Sequence, residues 1–168
     1  NNCEISRTIN KGCPQGGISS PFLWNLVFDS LLLLLQDGPG FSQAYADDLV
    51  VLHRGFDLPT LHNQAQQTLN KVLNWGRSTG LIFSAEKTET IVFTWKRKWQ
   101  MDDLHLGNRI VPRKECVKYL GCYLDSKLTW LTHVKEKAKR ATSALLICKR
   151  IVGKNWGISP KMMLWIYS

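Results

Sequence analysis

The first half of the chain contains one long apolar run and two short ones. The long run, from Phe22 to Leu35, predicts a buried helix with Ser20 as its N-cap and Pro21 in the first helical position. The short runs, Phe41 to Ala44 and Leu49 to Leu52, flank a pair of acidic residues. Short β-branched runs of this kind form buried strands, so the pattern predicts a hairpin with the acidic pair at its tip.

The second half alternates helical and strand-like patterns. Apolar residues three and four apart predict an amphipathic helix that starts near Asp57 and is closed by Gly76 and Gly80. Gly107-Asn108 predicts a hairpin turn among the short strands that follow. The predicted strands are 81–83, 89–95, 104–106, 109–111 and 117–124, and a long helix follows from Thr129. Together these elements predict an α+β protein, an antiparallel sheet with helices packed on one face.

The acidic pair stands within Tyr45-Ala46-Asp47-Asp48. Adjacent carboxylates repel each other and lose hydration near an apolar sheet, so a divalent cation that neutralises both is a natural partner. Hard oxygen ligands favour Mg²⁺, or Mn²⁺, over zinc. The alternative interpretation is a solvated turn, because Asp is a favoured turn residue.

A glycine-rich loop, Lys11 to Pro21, runs into the start of the first helix. Because Gly12, Gly16 and Gly17 have no Cβ, the backbone of this loop can approach a phosphate or a base closely. An ordinary loop before a buried helix is the alternative. The five cysteines contain no C-x-x-C pair and fit a reducing compartment, and the four histidines are scattered without ligand spacing, so no zinc site is predicted.

Taken in order, the motifs of this chain resemble those of a reverse transcriptase. The matching motifs are Gly12 to Gly16, Ser20-Pro21 with Asn25, Tyr45 to Asp48, Gly80-Leu81, Lys87 to Glu89, and Tyr119 to Gly121. The sequence Leu128-Thr129-Trp130, with His133 and a basic helix, is similar to the Jockey-like members of the non-LTR (LINE-type) retrotransposon branch. The resemblance covers nearly the whole chain and implies a polymerase palm, 1–127, followed by the start of a helical thumb, 128–168.

This resemblance implies a role for each matched position. Asp47 and Asp48 would be the catalytic metal ligands, and Lys87 would protonate the departing pyrophosphate. Pro14, Gln15, Gly16 and Tyr45 would contact the template base and the incoming nucleotide, and Tyr119, Leu120 and Gly121 would grip the primer. Ser84 departs from the family pattern, because many relatives carry asparagine there.

The resemblance also implies partners and a reaction. The partners would be an RNA template, a DNA primer and deoxynucleoside triphosphates, with Mg²⁺ (or Mn²⁺) as the metal, no other small-molecule cofactor and no membrane. Two-metal nucleotidyl transfer needs a third carboxylate. In the family it comes from a strand before the glycine-rich loop, so we expect the isolated chain to be inactive. An intracellular location is expected, in nucleus and cytoplasm if the parent retrotransposon is active.

Charge agrees with a nucleic-acid partner, since 22 Lys and Arg against 13 Asp and Glu leave a net charge of +9. Basic residues of the last helix, among them Lys135, Lys139 and Arg140, lie off its apolar stripe and would contact phosphates. The stripe comprises Leu131, Val134, Ala138, Ala141, Leu145, Cys148 and Val152. A solvated basic face is the alternative for these cations.

Two competing functions stay open. One is a related polymerase, such as a group II intron or viral RNA-templated enzyme. The other is a catalytically dead remnant, or a domesticated nucleic-acid-binding module, that keeps the same fold.

Overall fold

The computed structural model describes Gly12, residues 16–151, Ser159, Lys161 and Met162. Its helices are α1 (Ser20–Gln36), α2 (Leu58–Thr79) and α3 (Leu131–Ile151). Its strands are β1 (Gly40–Tyr45), β2 (Asp48–His53), β3 (His105–Leu106), β4 (Arg109–Ile110), β5 (Cys116–Tyr119) and β6 (Cys122–Asp125). The chain divides into two compact units: the first runs to Thr88 and includes Lys98–Pro112, and the second comprises Glu89–Arg97 and the residues from Arg113 onward.

An apolar core in the first unit joins both of its helices to the β1–β2 hairpin. Phe28, Leu31 and Leu35 recur at helical spacing on α1 and pack with Val72 and Trp75 of α2. The hairpin contributes alternate residues to this core, namely Ala44, Leu49 and Val51. Because strand side chains alternate between faces, the core and its helices cover one face of the hairpin and leave the other face exposed.

The ends of α2 follow from capping chemistry. The Asp57 side chain accepts a hydrogen bond from the Thr60 backbone N–H at 2.8 Å, and hydrogen bonding to the side chain and then the backbone of Thr60 lowers the pKa of the carboxyl group. Gly80 ends the helix in the left-handed conformation, with φ 73°. The prediction that Gly76 also closes the helix is wrong. Gly76 lies inside α2, where an added Cβ would stand 2.7 Å from the Leu81 carbonyl oxygen.

A second cluster in the first unit confirms the predicted hairpin around Gly107-Asn108. β3 and β4 pair antiparallel, and Leu104, Leu106 and Val111 are buried beside them. Residues of α2 pack against this cluster, including Leu69 and Leu73. A single helix thus supports both apolar clusters of the unit.

Three predicted strands are wrong. Residues 81–83 form no strand, and Leu81 and Phe83 pack against the apolar core. In residues 89–95 only Thr90 forms an isolated bridge, to Arg113. Residues 117–124 are the facing parts of two strands, β5 and β6, which reverse at Leu120-Gly121. The α+β class is confirmed, but the described strands form separate two-stranded hairpins rather than one continuous sheet.

In the second unit, polar contacts join β6 to the start of α3. Asp125 accepts hydrogen bonds from the backbone N–H groups of Lys127, Thr129 and Trp130, and these bonds lower the pKa of the carboxyl group. His133 Nδ1 accepts one from the Tyr123 N–H at 3.2 Å. Leu128 and Trp130 hold positive φ values of 52° and 62° in this connection. We call Asp125, Thr129, Trp130 and His133 the β6–α3 joint.

The final helix is confirmed over Leu131–Ile151, but much of its apolar stripe faces solvent. The exposed fractions are 55% for Leu131, 59% for Val134 and 66% for Leu145. Val152, the last predicted member of the stripe, lies outside the described residues. Among the helices that the structure describes, none is both long and apolar enough to cross a membrane.

Candidate active site

The acidic pair lies at the tip of the β1–β2 hairpin, as predicted. Tyr45 pairs with Asp48, so Ala46 and Asp47 form a two-residue turn. Ala46 has φ 52°, a value that two-residue hairpin turns favour but that L side chains rarely adopt. The hairpin thus places both carboxylates at one reversal of the chain.

The outer face of the hairpin carries the chemistry. Tyr45 is 63% exposed and stands opposite Asp48, one position from the core-facing pair Ala44 and Leu49. Asp47 and Asp48 are exposed, and neither forms an ion pair within the described part of the chain. Two carboxylates without a cationic side chain as partner fit a hard divalent cation. Among the described residues no group of three or more metal-ligating side chains is present, so the described part of this site consists of the two adjacent carboxylates.

Trp24 supports this turn and was missed by the sequence analysis. Its indole Nε1–H donates a hydrogen bond of 2.8 Å to the Ala46 carbonyl oxygen, across 22 residues of sequence. The ring lies against Phe28, with centroids 5.3 Å apart. The apolar period of α1 marks Trp24 as a core residue, but periodicity carries no information about a hydrogen bond to a distant turn.

The described residues include part of the predicted nucleotide-contacting loop. Gly16 is exposed, holds φ 85° and stands shortly before α1. Pro14 and Gln15 lie outside the described residues. A positive φ at Gly16 agrees with the expected need for glycine in this loop.

Lys87 is exposed on a turn of the first unit. The backbone N–H groups of Lys87 and Thr88 both donate to the Ser84 carbonyl oxygen, at 3.3 and 3.0 Å. Within the described residues the Lys87 ammonium forms no ion pair with the carboxylate of Asp47 or Asp48. Its predicted role as a proton donor therefore stays a prediction.

The three predicted primer-grip residues lie together at the β5–β6 reversal of the second unit. Tyr119 ends β5, and Leu120 and Gly121 form the turn with φ 45° and 81°. Two positive φ values are typical of the type I′ turn that suits hairpins. The Tyr119 hydroxyl oxygen is buried and has no hydrogen-bond partner among the described residues.

The three predicted phosphate-contacting residues of α3, Lys135, Lys139 and Arg140, are all exposed. The remaining cations of the helix, Lys137, Lys149 and Arg150, are exposed as well. Exposure leaves each of these side chains accessible to a phosphate backbone.

Comparison with known proteins decides the family. A family model described as reverse transcriptase (RNA-dependent DNA polymerase) matches residues 1–124. The chain belongs to the reverse transcriptase family. The match includes α1, the acidic turn and all six strands. It stops one residue before the end of β6. No solved structure matches the chain.

Curated relatives identify the branch of the family. The chain is 31% identical over 95% of its length to a putative 115 kDa protein in the type-1 retrotransposable element R1DM of Drosophila melanogaster. It is 27% identical, over 89%, to a Pol polyprotein from the R1 element of Nasonia vitripennis. It is 23% identical, over 94%, to the RNA-directed DNA polymerase from mobile element jockey of D. melanogaster. The resemblance to Jockey-like non-LTR reverse transcriptases is confirmed.

These relatives are much longer than the chain. The matched region spans 15% of the R1DM protein, 46% of the Nasonia polyprotein and 17% of the jockey polymerase.

Dependence on a divalent metal is general in the family.

Proposed function

We propose that this chain is the palm, 1–127, and the start of the thumb, 128–168, of an RNA-directed DNA polymerase. The observation that carries the proposal is the exposed Asp47-Asp48 pair at a two-residue turn, in a chain that belongs to the reverse transcriptase family. Its partners would be an RNA template, a DNA primer and deoxynucleoside triphosphates.

Asp47 and Asp48 would hold Mg²⁺, with Mn²⁺ as a substitute. When bound, divalent cations held there would stabilise the attacking 3′-hydroxyl and the leaving pyrophosphate. The third carboxylate of the site would come from a palm strand upstream of the glycine-rich loop. The oxygen-only donor set of the turn supports this assignment, because hard cations prefer such ligands.

The remaining matched residues would position the substrates. Tyr45 stands opposite Asp48 on the exposed face of the hairpin, where it would contact the incoming nucleotide and the primer end. Pro14, Gln15 and Gly16 would contact the template base, and Lys87 would donate the proton that the departing pyrophosphate takes up. Tyr119, Leu120 and Gly121 would grip the primer, while Lys135, Lys139 and Arg140 contact phosphates.

The Asp47→Asn substitution tests the metal assignment in the intact polymerase that carries this chain. We expect RNA-templated primer extension to fall by about 10³-fold or more, because a neutral amide replaces the metal-binding charge, while template binding changes by less than about twofold. The matched control is Asp37→Asn, which removes another exposed carboxylate, at the end of α1. Unchanged extension by the Asp47→Asn enzyme would refute the assignment.

Nucleic-acid binding without catalysis is a second candidate function, which the exposed cations of α3 favour. Replacing both Lys139 and Arg140 with alanine should weaken RNA binding and reduce the slope of log K against log salt by about 1–2. Arg54→Ala with Arg77→Ala, two exposed cations of the first unit, changes the net charge equally and is the control. If both pairs have the same effect, α3 makes no localised phosphate contact. If the wild-type protein binds RNA but does not extend a primer, the result favours the non-catalytic module.

A further inference from the structure

The turn that carries the acidic pair is strained. Ala46 holds φ 52°, in the left-handed region where a Cβ crowds the backbone and where glycine is the usual residue. A non-glycine residue keeps such a conformation when the surrounding structure enforces it. The turn is exposed, so something other than burial must maintain the conformation of Ala46.

Pairing of β1 with β2 enforces part of this conformation, and the Trp24 indole adds a second constraint. Its N–H···O bond of 2.8 Å ends on the Ala46 carbonyl, which belongs to the peptide group joining Ala46 to Asp47. A hydrogen bond to this oxygen fixes the orientation of the peptide plane. Because that plane leads directly into the Asp47 backbone, the bond also restricts where the Asp47 carboxylate can point.

The donor itself is anchored in the apolar core. Trp24 packs on Phe28, which is 5% exposed and makes an edge-on contact with Trp75 at 5.7 Å between centroids. Trp75 is 7% exposed. Aromatic contacts of this kind favour defined ring orientations. A continuous path of packed rings therefore leads from the centre of the core to the acidic turn.

We propose that Trp24 is a positioning residue for the metal site: its indole N–H holds the Ala46–Asp47 peptide so that the two carboxylates present their oxygens together to a divalent cation. The inference rests on the proposed metal role of Asp47 and Asp48. Nothing in the spacing of the reverse transcriptase motifs assigns this role to the residue, since the role depends on the indole nitrogen.

The Trp24→Phe substitution tests the proposal, because it keeps an aromatic ring against Phe28 and removes the N–H donor; the smaller ring is matched by making the same substitution in the control. The matched control is Trp75→Phe, which also removes an indole N–H but keeps an aromatic ring against Phe28, so the ring contacts that support Trp24 are retained. Trp75 donates a similar bond of 2.9 Å to Ser30 Oγ within the same core, away from the turn. Mn²⁺ binding to the intact polymerase is measured by electron paramagnetic resonance, and the kcat and KM for dNTP are measured in parallel.

We expect Trp24→Phe to weaken Mn²⁺ binding by about fivefold, the effect of losing one neutral hydrogen bond, and to lower kcat with little change in KM. Trp75→Phe should leave Mn²⁺ affinity and kcat within twofold of the wild type. Equal Mn²⁺ affinities for Trp24→Phe, Trp75→Phe and wild type would overturn the proposal. Asp47→Asn separates the two claims: if this variant binds Mn²⁺ normally, the proposed function fails, whatever Trp24 does.

A measurement on the wild-type protein keeps the proposal testable if Trp24→Phe fails to fold. With ¹⁵N-labelled tryptophan, the Trp24 indole proton should exchange slowly with solvent, and bound Mn²⁺ should broaden its resonance. The comparison residue is Trp95, whose side chain is 79% exposed and whose indole proton should exchange rapidly. Exchange of the Trp24 proton as fast as that of Trp95 would show that the indole does not hold the turn.

Discussion

The β1–β2 and β5–β6 hairpins both reverse through two-residue turns, yet they are held in different ways. The first packs on an aromatic and aliphatic core, and the Trp24 indole bonds to its turn. The second also has an exposed turn, Leu120-Gly121, but this hairpin is joined to α3 through hydrogen bonds to Asp125 and His133. One hairpin is thus supported mainly by buried apolar surface, and the other by polar groups.

This difference matters for function because apolar burial and polar contacts respond differently to conditions. Burial of apolar surface is insensitive to pH, whereas a carboxylate that accepts hydrogen bonds loses them when it is protonated. A metal site requires fixed ligand geometry, which a packed core provides. The role that we propose for the β5–β6 turn, contact with the primer, needs no such rigid arrangement, so a polar joint is sufficient there.

The largest expected effect is on the core beneath the acidic turn. Leu31 is fully buried, and Leu31→Ala should lower the free energy of unfolding by about 3 kcal/mol through lost burial and a cavity. Leu33→Ala is the control on the same helix, because Leu33 is 55% exposed and should cost no more than about 0.5 kcal/mol. Urea unfolding of both variants measures the difference. Equal costs would mean that α1 does not pack as described.

The same glycine-to-alanine change should act differently in the two units. At Gly76 the new Cβ would meet the Leu81 carbonyl oxygen at 2.7 Å, so Gly76→Ala should cost about 2 kcal/mol through a steric conflict. At Gly121 nothing lies within 4 Å of the new Cβ, but φ is 81°, so Gly121→Ala should cost about 1 kcal/mol through backbone strain alone. Thermal unfolding ranks the two variants, and a larger loss at Gly121 would contradict the described packing.

The smallest expected effect is a loss of stability at the β6–α3 joint that is confined to a pH range. Backbone hydrogen bonds, first that of Thr129, hold the pKa of Asp125 below its usual value. The stabilisation is therefore complete above the ordinary carboxyl pKa of about 4 and is lost as the pH falls through the lower folded-state value. Hydrogen exchange of the Thr129 and Trp130 amides should accelerate over that range.

Asp125→Asn is the matched control for this pH dependence. The variant lacks the titrating carboxyl, so exchange of the same two amides should show no acceleration that is specific to this range. Protection that stays constant through acid pH in the wild type would show that the Asp125 carboxylate does not hold the joint.

Local chemistry made the elements around the candidate site predictable. The apolar runs on either side of the acidic pair predicted β1 and β2 to within one residue, and the start of α2 follows from Asp57 as a cap. The end of α2 follows from Gly80, which adopts the left-handed conformation. Each of these features depends on neighbouring residues, so a sequence pattern is sufficient to find it.

The errors arise where a segment depends on distant partners. Residues 81–83 and 89–95 have strand-like composition, but a strand forms only where another strand pairs with it along its length. Phe83 instead contacts Phe28 and Trp75 as a core side chain. The Trp24 bond to Ala46 likewise depends on how α1 packs against a turn 22 residues away. Apolar periodicity identifies which face is buried, but it does not identify the hydrogen bonds made there.

The most direct test of the proposed function is primer extension on poly(rA)–oligo(dT) with Mg²⁺. It compares the 168-residue chain with a longer chain that includes the family's upstream palm strand and its carboxylate. We predict extension by the longer chain and none by the shorter one, because two-metal nucleotidyl transfer needs a third carboxylate beside the proposed pair. No extension by the longer chain, with RNA binding retained, would contradict the assignment of the Asp47-Asp48 turn to a polymerase active site.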